Sequence, residues 1–543
     1  MLNYVWLGLL FFGIAAALST DIIDQSTNRY RNGEALPVTI IFDKPFNKSS
    51  AETFSSTINI NAEDFNKFYN QSEKKDISQK AQITVNPEAE KIILFMRMDE
   101  QSPMLWKEMA KVSGNEDDLS GNVRINRFID STEALSSIYL EDISFAKMKE
   151  VTNSAIDYAG TAVKIALGLI GIMALWLGVM KIAEEAGLIK KIANAVKPIT
   201  RFLFPDVPAD HPAMGSMIMN ISANMLGLGN AATPFGLKAM EDLDKLNKNK
   251  GTATNAMCTF LAINTAGLTL IPATAIAIRA ASGSSDPAII IGTSFFGAAC
   301  ATFTGIAAAK ILEKFPVKKG EFKKKFNVNL RNLSIFLAAL VIIAVFIITG
   351  IFGKVFSFLG IESSESLKKI IQIFSTVAIP LIIFTFVTYG AVKKVKLYEA
   401  FVEGAKEGFN VAVRIIPYLV AMLVAIGIFR AGGAMDFLVM ILSPVTSLIG
   451  MPAEALPMAL MRPLSGSGSL GIMAEIISVH GPDSFIGILV STIMGSTETT
   501  FYVITLYFGT VNIRRTRHAI AAGLLADVAG ILGAVFIVNF LFG

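Results

Sequence analysis

Long apolar blocks separated by short polar stretches fill the chain from about residue 160 onward. Measured against the roughly 20 residues that cross a bilayer's hydrocarbon, they predict spans at residues 162–180, 252–278, 288–312, 333–352, 370–390, 410–429, 485–508 and 519–542. A further apolar block at residues 2–19 has no basic residue ahead of it. Ala15, Ala16 and Ala17 could mark a cleavage site, but without a basic n-region the block is read as a retained transmembrane helix.

Between that helix and the first later span lies a polar island, residues 20–155. Short alternating runs at 38–42 and 91–95 read as strands, and 64–69 as helix-compatible sequence. The expectation is a small α+β insert. Two other segments are apolar but too interrupted to span: 212–228, broken by the run at 227–234, and 457–477, broken by the serines and glycines at 465–469. Each predicts a helical hairpin that enters the membrane and turns back, its irregular backbone buried in protein rather than lipid.

The two broken segments occupy matching places. Ala162-Val163-Lys164 opens a span in the first half and Ala412-Val413-Arg414 one in the second. Each leads to an amphipathic stretch with a proline near its end (Pro198, Pro444), then a proline pair (Pro208 with Pro212, Pro452 with Pro457), then the interruption. The chain therefore contains an internal repeat.

Composition supports lipid as the solvent. Of 543 residues, 52% are hydrophobic and only 17% charged, against about 25% charged in soluble domains. The net charge of +4 comes with lysines clustered between apolar blocks, which reads as topology signal and not as a nucleic-acid surface. Placing the clusters at 181–201, 238–250, 314–331, 393–406 and 514–517 in the cytoplasm puts the first hairpin on the cytoplasmic side and the second outside. The repeats are then inverted, and the N-terminus is cytoplasmic. The insert and the C-terminus lie outside, while Lys354, Lys368 and Lys369 run against the pattern. Residues 181–203 carry apolar positions at helical spacing opposite charges, and predict a helix in the interface plane. The two cysteines (Cys258, Cys300) and three scattered histidines form no metal or triad spacing. No cofactor and no enzyme activity are expected.

Several motifs resemble a known family. Residues 177–188 (LGVMKIAEEAGL), 203–212 (LFPDVPADHP) and above all 220–234 (NISANMLGLGNAATP) resemble spore maturation protein A. Residues 461–468 (MRPLSGSG), 494–503 (MGSTETTFYV) and 516–518 resemble spore maturation protein B. The resemblance spans residues 1–19 and 156–543, and the insert is the departure from it. It implies a nucleoside recognition (Gate) membrane protein, distantly akin to concentrative nucleoside transporters and ferrous iron permeases. In sporulating bacteria this family is associated with core dehydration and spore maturation.

The interrupted segments are where chemistry is expected. Thr233 before Pro234 suits an N-cap and first helical residue, aiming free N–H groups into the membrane interior. Such helix starts favour hydrogen-bond acceptors such as the hydroxyls or base edges of a nucleoside. Asn220, Asn224, Asn230 and Asn264 add amides that donate and accept, or else merely glue helices together. Ser465, Ser467 and Ser469 are expected to line the opposing turn. Glu498, flanked by Thr497 and Thr499, sits in an apolar run at a cost of roughly 2.5 kcal/mol or more. It either carries a coupling proton or cation, or pairs with Arg462 as a structural bridge. Asp527 is a similar but weaker candidate, and the methionines and Cys258 read as packing.

The fold expected is thus an all-α polytopic membrane protein of the inner (plasma) membrane: two inverted Gate-type repeats with re-entrant hairpins, plus a small α+β extracytoplasmic insert. Two functions compete. One is a permease for a small polar solute, nucleoside-like. The other is a non-transporting scaffold or regulator whose insert engages an envelope protein or peptidoglycan. The lipid bilayer is the one certain partner, nucleic acid is not expected, and a homo-oligomer is compatible with the sequence.

Overall fold

The computed structural model describes residues 2–47, 51–89, 91–113, 118–227, 229–314 and 364–543. The expected span at 333–352 and the basic stretch 315–331 lie outside the described residues. The chain divides into two compact units, residues 7–157 with 427–437, and residues 1–6, 158–426 and 438–543.

The first unit contains α1 (Leu2–Ser26) from residue 7 onward and a six-stranded antiparallel barrel. The strands are β1 (Leu36–Phe42), β2 (Thr53–Ile60), β3 (Ile77–Asn86), β4 (Lys91–Arg97), β5 (Asp118–Phe128) and β6 (Glu133–Leu140). Each pairs with its neighbour in sequence, and β6 returns to β1 with Leu36 opposite Ile138. Strict alternation makes this possible: every second residue of β3, from Ile77 through Ala81 to Val85, is buried, so one face fills the interior and the other stays wet. Closure leaves no edge strand. Two short helices, α2 (Ala62–Tyr69) and α3 (Met104–Ser113), complete the core. Asn61 caps α2 by accepting from Asp64 N (2.7 Å), and Phe65 meets the fully buried Trp106 edge-on at 5.6 Å. Each such aromatic contributes about 1.5–3 kcal/mol of burial.

The insert leaves where it enters. Asp21, buried near the end of α1, accepts hydrogen bonds from Lys147 N (2.8 Å) and Met148 N (2.9 Å) in the first turn of α4 (Ala146–Glu185). A carboxylate at a helix N-terminus satisfies free N–H groups and complements the dipole.

The second unit is helical. After α4 come α5 (Leu188–Leu203), α6 (Pro212–Met225), α7 (Gly229–Leu246), α8 (Asn255–Ala266), α9 (Ala273–Ala281) and α10 (Ile290–Leu312). Beyond α11 (Ser364–Val392) lie α12 (Leu397–Ala431), α13 (Ala434–Ser447), α14 (Leu456–Met461), α15 (Gly466–His480), α16 (Phe485–Ser496), α17 (Thr500–Thr510) and α18 (Ala519–Phe542). The run α12–α18 repeats α4–α10 element for element. Among the described residues, five helices are long and apolar enough to cross a membrane: Asn3–Ser26, Ala146–Glu185, Pro287–Leu312, Leu397–Ala431 and Ala519–Phe542.

Two expected spans are corrected. Residues 252–278 and 485–508 are not single helices but pairs, α8 with α9 and α16 with α17. Gly267, at φ 58°, ends α8 by turning left-handed, its N–H on Ile263 O (3.1 Å). Pro272 has no N–H to continue the ladder, and α9 starts just after it. In the second half Thr497 is fully extended (φ −146°, ψ 169°) and Thr499 lies in the extended region. Twelve residues of helix rise only about 18 Å, so neither leg spans alone. The amphipathic stretch 181–203 is also two pieces: α4 continues to Glu185, Gly187 turns at φ 82°, and α5 begins at Leu188.

Candidate functional site

Each half brings the tip of its hairpin to its own interrupted helix. In the first, α6 and α7 pack together and turn through Gly227 (φ 77°), and Met225 O accepts from Leu270 N (2.8 Å) inside the α8–α9 break. A Cβ on Gly227 would come within 2.8 Å of Ile271 O. In the second, α14 and α15 turn through residues 462–465, and Pro463 O accepts from Phe501 N (3.1 Å) just past the α16–α17 break. The halves thus repeat contacts as well as element order.

The two breaks touch. Glu498 N donates to Thr265 O (2.8 Å), and Gly267 lies so close that an added Cβ would sit 2.6 Å from Glu498 Cγ. Around this crossing is a cavity of about 310 Å³, lined by Asn224, Thr269, Pro272, Thr274, Arg462, Gly466, Thr497 and Glu498, with Lys181 and Glu184 from the end of α4 and Glu407 from α12.

Arg462 organises the second break. Its buried guanidinium donates to Thr497 O and to Thr499 Oγ1 (3.3 Å). The Glu498 carboxylate is 3.6 Å away and its side chain is 54% exposed, against 3% for Arg462. The pair exists, yet the arginine's close partners are the backbone and a threonine, which leaves most of the carboxylate free to face the cavity. Behind the break, Thr500 Oγ1 donates to Asp527 Oδ2 (2.5 Å), and both residues are buried.

The asparagines form one network. Asn220 Nδ2 donates to Ala232 O (2.9 Å) and to Tyr507 Oη (3.2 Å). Tyr507 Oη donates to Asn264 Oδ1 (3.4 Å), which also accepts from Asn224 Nδ2 (2.9 Å). The first hairpin is thereby tied to α8 and to α17 of the other half. Asn220 and Asn264 are buried and Asn224 reaches the cavity. The side chain of Asn230 lies outside the described residues.

Other expected residues stand elsewhere. Thr233 is not an N-cap: α7 starts at Gly229 and holds Pro234 within it, because the left-handed turn at Gly227 lets helix resume at once. Ser465 is the N-cap of α15, accepting from Gly468 N (3.0 Å). Ser467 and Ser469 are already helical, and Ser469 Oγ bonds back to Ser465 O (2.7 Å). None of the three lines the cavity. Thr497 and Glu498 do.

Sequence reasoning missed Tyr507 and Glu475. Glu475, buried on α15, accepts from Tyr158 Oη (3.5 Å). Glu475 was visible in principle, as a lone carboxylate within an apolar run, which demands a partner.

A family model described as nucleoside recognition (Gate) matches residues 166–282 and 412–514, which run from α4 to α9 and from α12 to α17. Spore maturation protein B of Bacillus subtilis (strain 168) is 53% identical over 175 residues, covering 32% of this chain and 98% of that protein. Spore maturation protein A of the same organism is 44% identical over 168 residues, covering 31% of this chain and 84% of that protein. Inner membrane protein YjiG of Escherichia coli (strain K12) is 32% identical over 79 residues, covering 14% and 52%.

Proposed function

The chain belongs to the family of the spore maturation proteins A and B, multi-pass Gate-domain membrane proteins, and from that premise we propose that it is a permease for a small polar solute, nucleoside-like in its hydrogen bonding. The observation that carries this reading is the crossing of two interrupted helices at a cavity holding a half-exposed carboxylate, Glu498, beside a buried guanidinium, Arg462. Interrupted helices place unpaired backbone groups and side chains at the middle of a membrane, where transporters bind substrate.

In this reading Glu498 accepts from the solute or binds a coupling cation, and Asn224, Thr269 and Thr497 supply neutral hydrogen bonds. Asn220, Asn264 and Arg462 position that set. The two halves are inverted in the membrane, in line with basic clusters at 181–201, 238–250 and 514–517 on the cytoplasmic side. The barrel then lies outside. Uptake of nucleosides, nucleobases and inorganic ions into proteoliposomes tests the proposal. Uptake of at least one solute, lost in Glu498→Gln and weakened in Asn224→Ala, supports it; no uptake of any of them counts against it.

One observation favours a second reading, a scaffold that acts through the barrel. The barrel's two connections to the membrane helices are pinned together at Asp21, as suits a rigid platform for an envelope protein or peptidoglycan. Recovery of such a partner through residues 20–155, without solute uptake, would favour it.

A further inference from the structure

The ends of the second legs are tied to the opposite half in two reciprocal clasps, built from different materials. After α17, Arg514 N and Arg515 N donate to Gly251 O (2.9 and 3.0 Å), and Ala253 N donates to Arg515 O (3.0 Å). Arg517 Nη1 adds a bond to Ala253 O (3.1 Å). This clasp holds the loop before α8 mainly through backbone.

In the counterpart, Arg279 in the last turn of α9 reaches the loop before α16. It donates to Pro482 O and to Asp483 Oδ1 (2.8 Å). The same carboxylate accepts from Ser284 Oγ (2.5 Å), Ser285 N (2.7 Å) and Ser285 Oγ (2.7 Å). All of these links but one end on Asp483, so this clasp hangs on a single side chain.

That side chain can let go. Asp483 is 40% exposed, so water replaces its partners as it withdraws. Arg279 is fully buried, yet it keeps Ser284 Oγ (3.0 Å) and Asp286 O (3.3 Å) within its own half. Those two bonds and the nearby charge of Asp286 offset part of the usual penalty for parting a buried ion pair. The backbone clasp offers no such exit.

We propose that the Arg279–Asp483 clasp is the releasable gate of the cavity, closing it on the face opposite the basic clusters, while the clasp of residues 251–253 with 514–517 is the fixed hinge. This rests on the reading of two inverted halves around one cavity. Lys181 and Glu184, in the basic stretch 181–201, line that cavity, and no residue of the clasp does; on that same reading the cavity faces the cytoplasm and the gate is shut outside.

Cysteine accessibility tests it in cells. With Cys258→Ala and Cys300→Ala as background, Thr274→Cys reports on the cavity and the exposed Asn249→Cys on the hinge side. A membrane-impermeant maleimide applied outside should leave Thr274→Cys unlabelled. Adding Asp483→Asn should produce labelling, and Ser285→Ala, which removes one bond, a smaller amount. In inverted vesicles Asn249→Cys should label in every variant, showing insertion. Should Asp483→Asn fail to insert, Ser285→Ala decides. Outside labelling without any clasp mutation, or none in inserted Asp483→Asn and Ser285→Ala, overturns the gate. Labelling that follows the clasp in a protein that takes up no solute removes the permease and leaves the gate; uptake with unchanged labelling does the reverse.

Discussion

Glu498 N donates to Thr265 O over 2.8 Å, and this one bond joins the two interrupted helices at their breaks. It uses a backbone donor freed by the end of α16 and a carbonyl freed by the end of α8, groups that a continuous helix would have used internally. Each break therefore satisfies one backbone group of the other, and buried partners of this kind let irregular backbone survive at membrane depth.

The crossing makes Gly267 irreplaceable. Gly267→Ala should lose about 1–2 kcal/mol from its left-handed φ and more from the Cβ placed 2.6 Å from Glu498 Cγ. Gly251→Ala is the control: its φ is 76° but nothing lies within 4 Å of the added atom. Thermal unfolding in detergent should show Gly267→Ala clearly the worse; equal losses would mean that the helices do not meet there.

Arg462 and Glu498 should separate stability from binding. Arg462→Met strands Thr497 O and Thr499 Oγ1 at the break, and should destabilise by about 1–3 kcal/mol. Glu498→Gln removes only the charge of a side chain that is 54% exposed, and should change stability by less than about 1 kcal/mol. Comparable losses of melting temperature in the two variants would contradict the division of roles.

Tyr507→Phe keeps the ring stacked on Phe260 at 6.0 Å but deletes the hydroxyl between Asn220 and Asn264. A loss of about 1–3 kcal/mol is expected, since buried amides lose a partner. An unchanged unfolding curve would show that the network is dispensable.

The Arg279–Asp483 clasp should respond to acid. Burial opposes the charge of Asp483, yet the hydrogen bonds from Ser284 and Ser285 and the charge of Arg279 together hold its carboxyl below the usual range. A carboxyl depressed in the folded state adds stability above its unfolded value, near 3.9, and loses it as pH falls through the folded value. The stability difference between the unaltered protein and Asp483→Asn should therefore be full near neutrality and shrink below about pH 4. A difference that stays constant down to pH 2.5, or grows, would contradict this.

The architecture was legible where hydrophobicity is periodic. Strands at 38–42 and 91–95 sit within β1 and β4, and the interruptions near Gly227 and Ser465 are turns between packed helices. The breaks inside 252–278 and 485–508 were not legible. Gly267, Pro272 and Thr497 interrupt those runs while lowering their hydrophobicity only slightly, and window arithmetic registers only the latter. Barrel closure also escaped, because β6 meets β1 across about a hundred residues. At the site, Glu498 and Arg462 stood out as charges among apolar neighbours. Tyr507 did not, since its ring reads as packing and its partners come from the other half of the chain.

Ligand-induced stabilisation tests the cavity most directly. The purified protein and its Glu498→Gln variant would be heated with a panel of nucleosides, nucleobases and inorganic ions, since a solute that binds only the folded state raises the melting temperature. At least one solute is predicted to stabilise the unaltered protein and not the variant. Stabilisation of neither, or of both alike, would contradict a solute site at the crossing of the two helices.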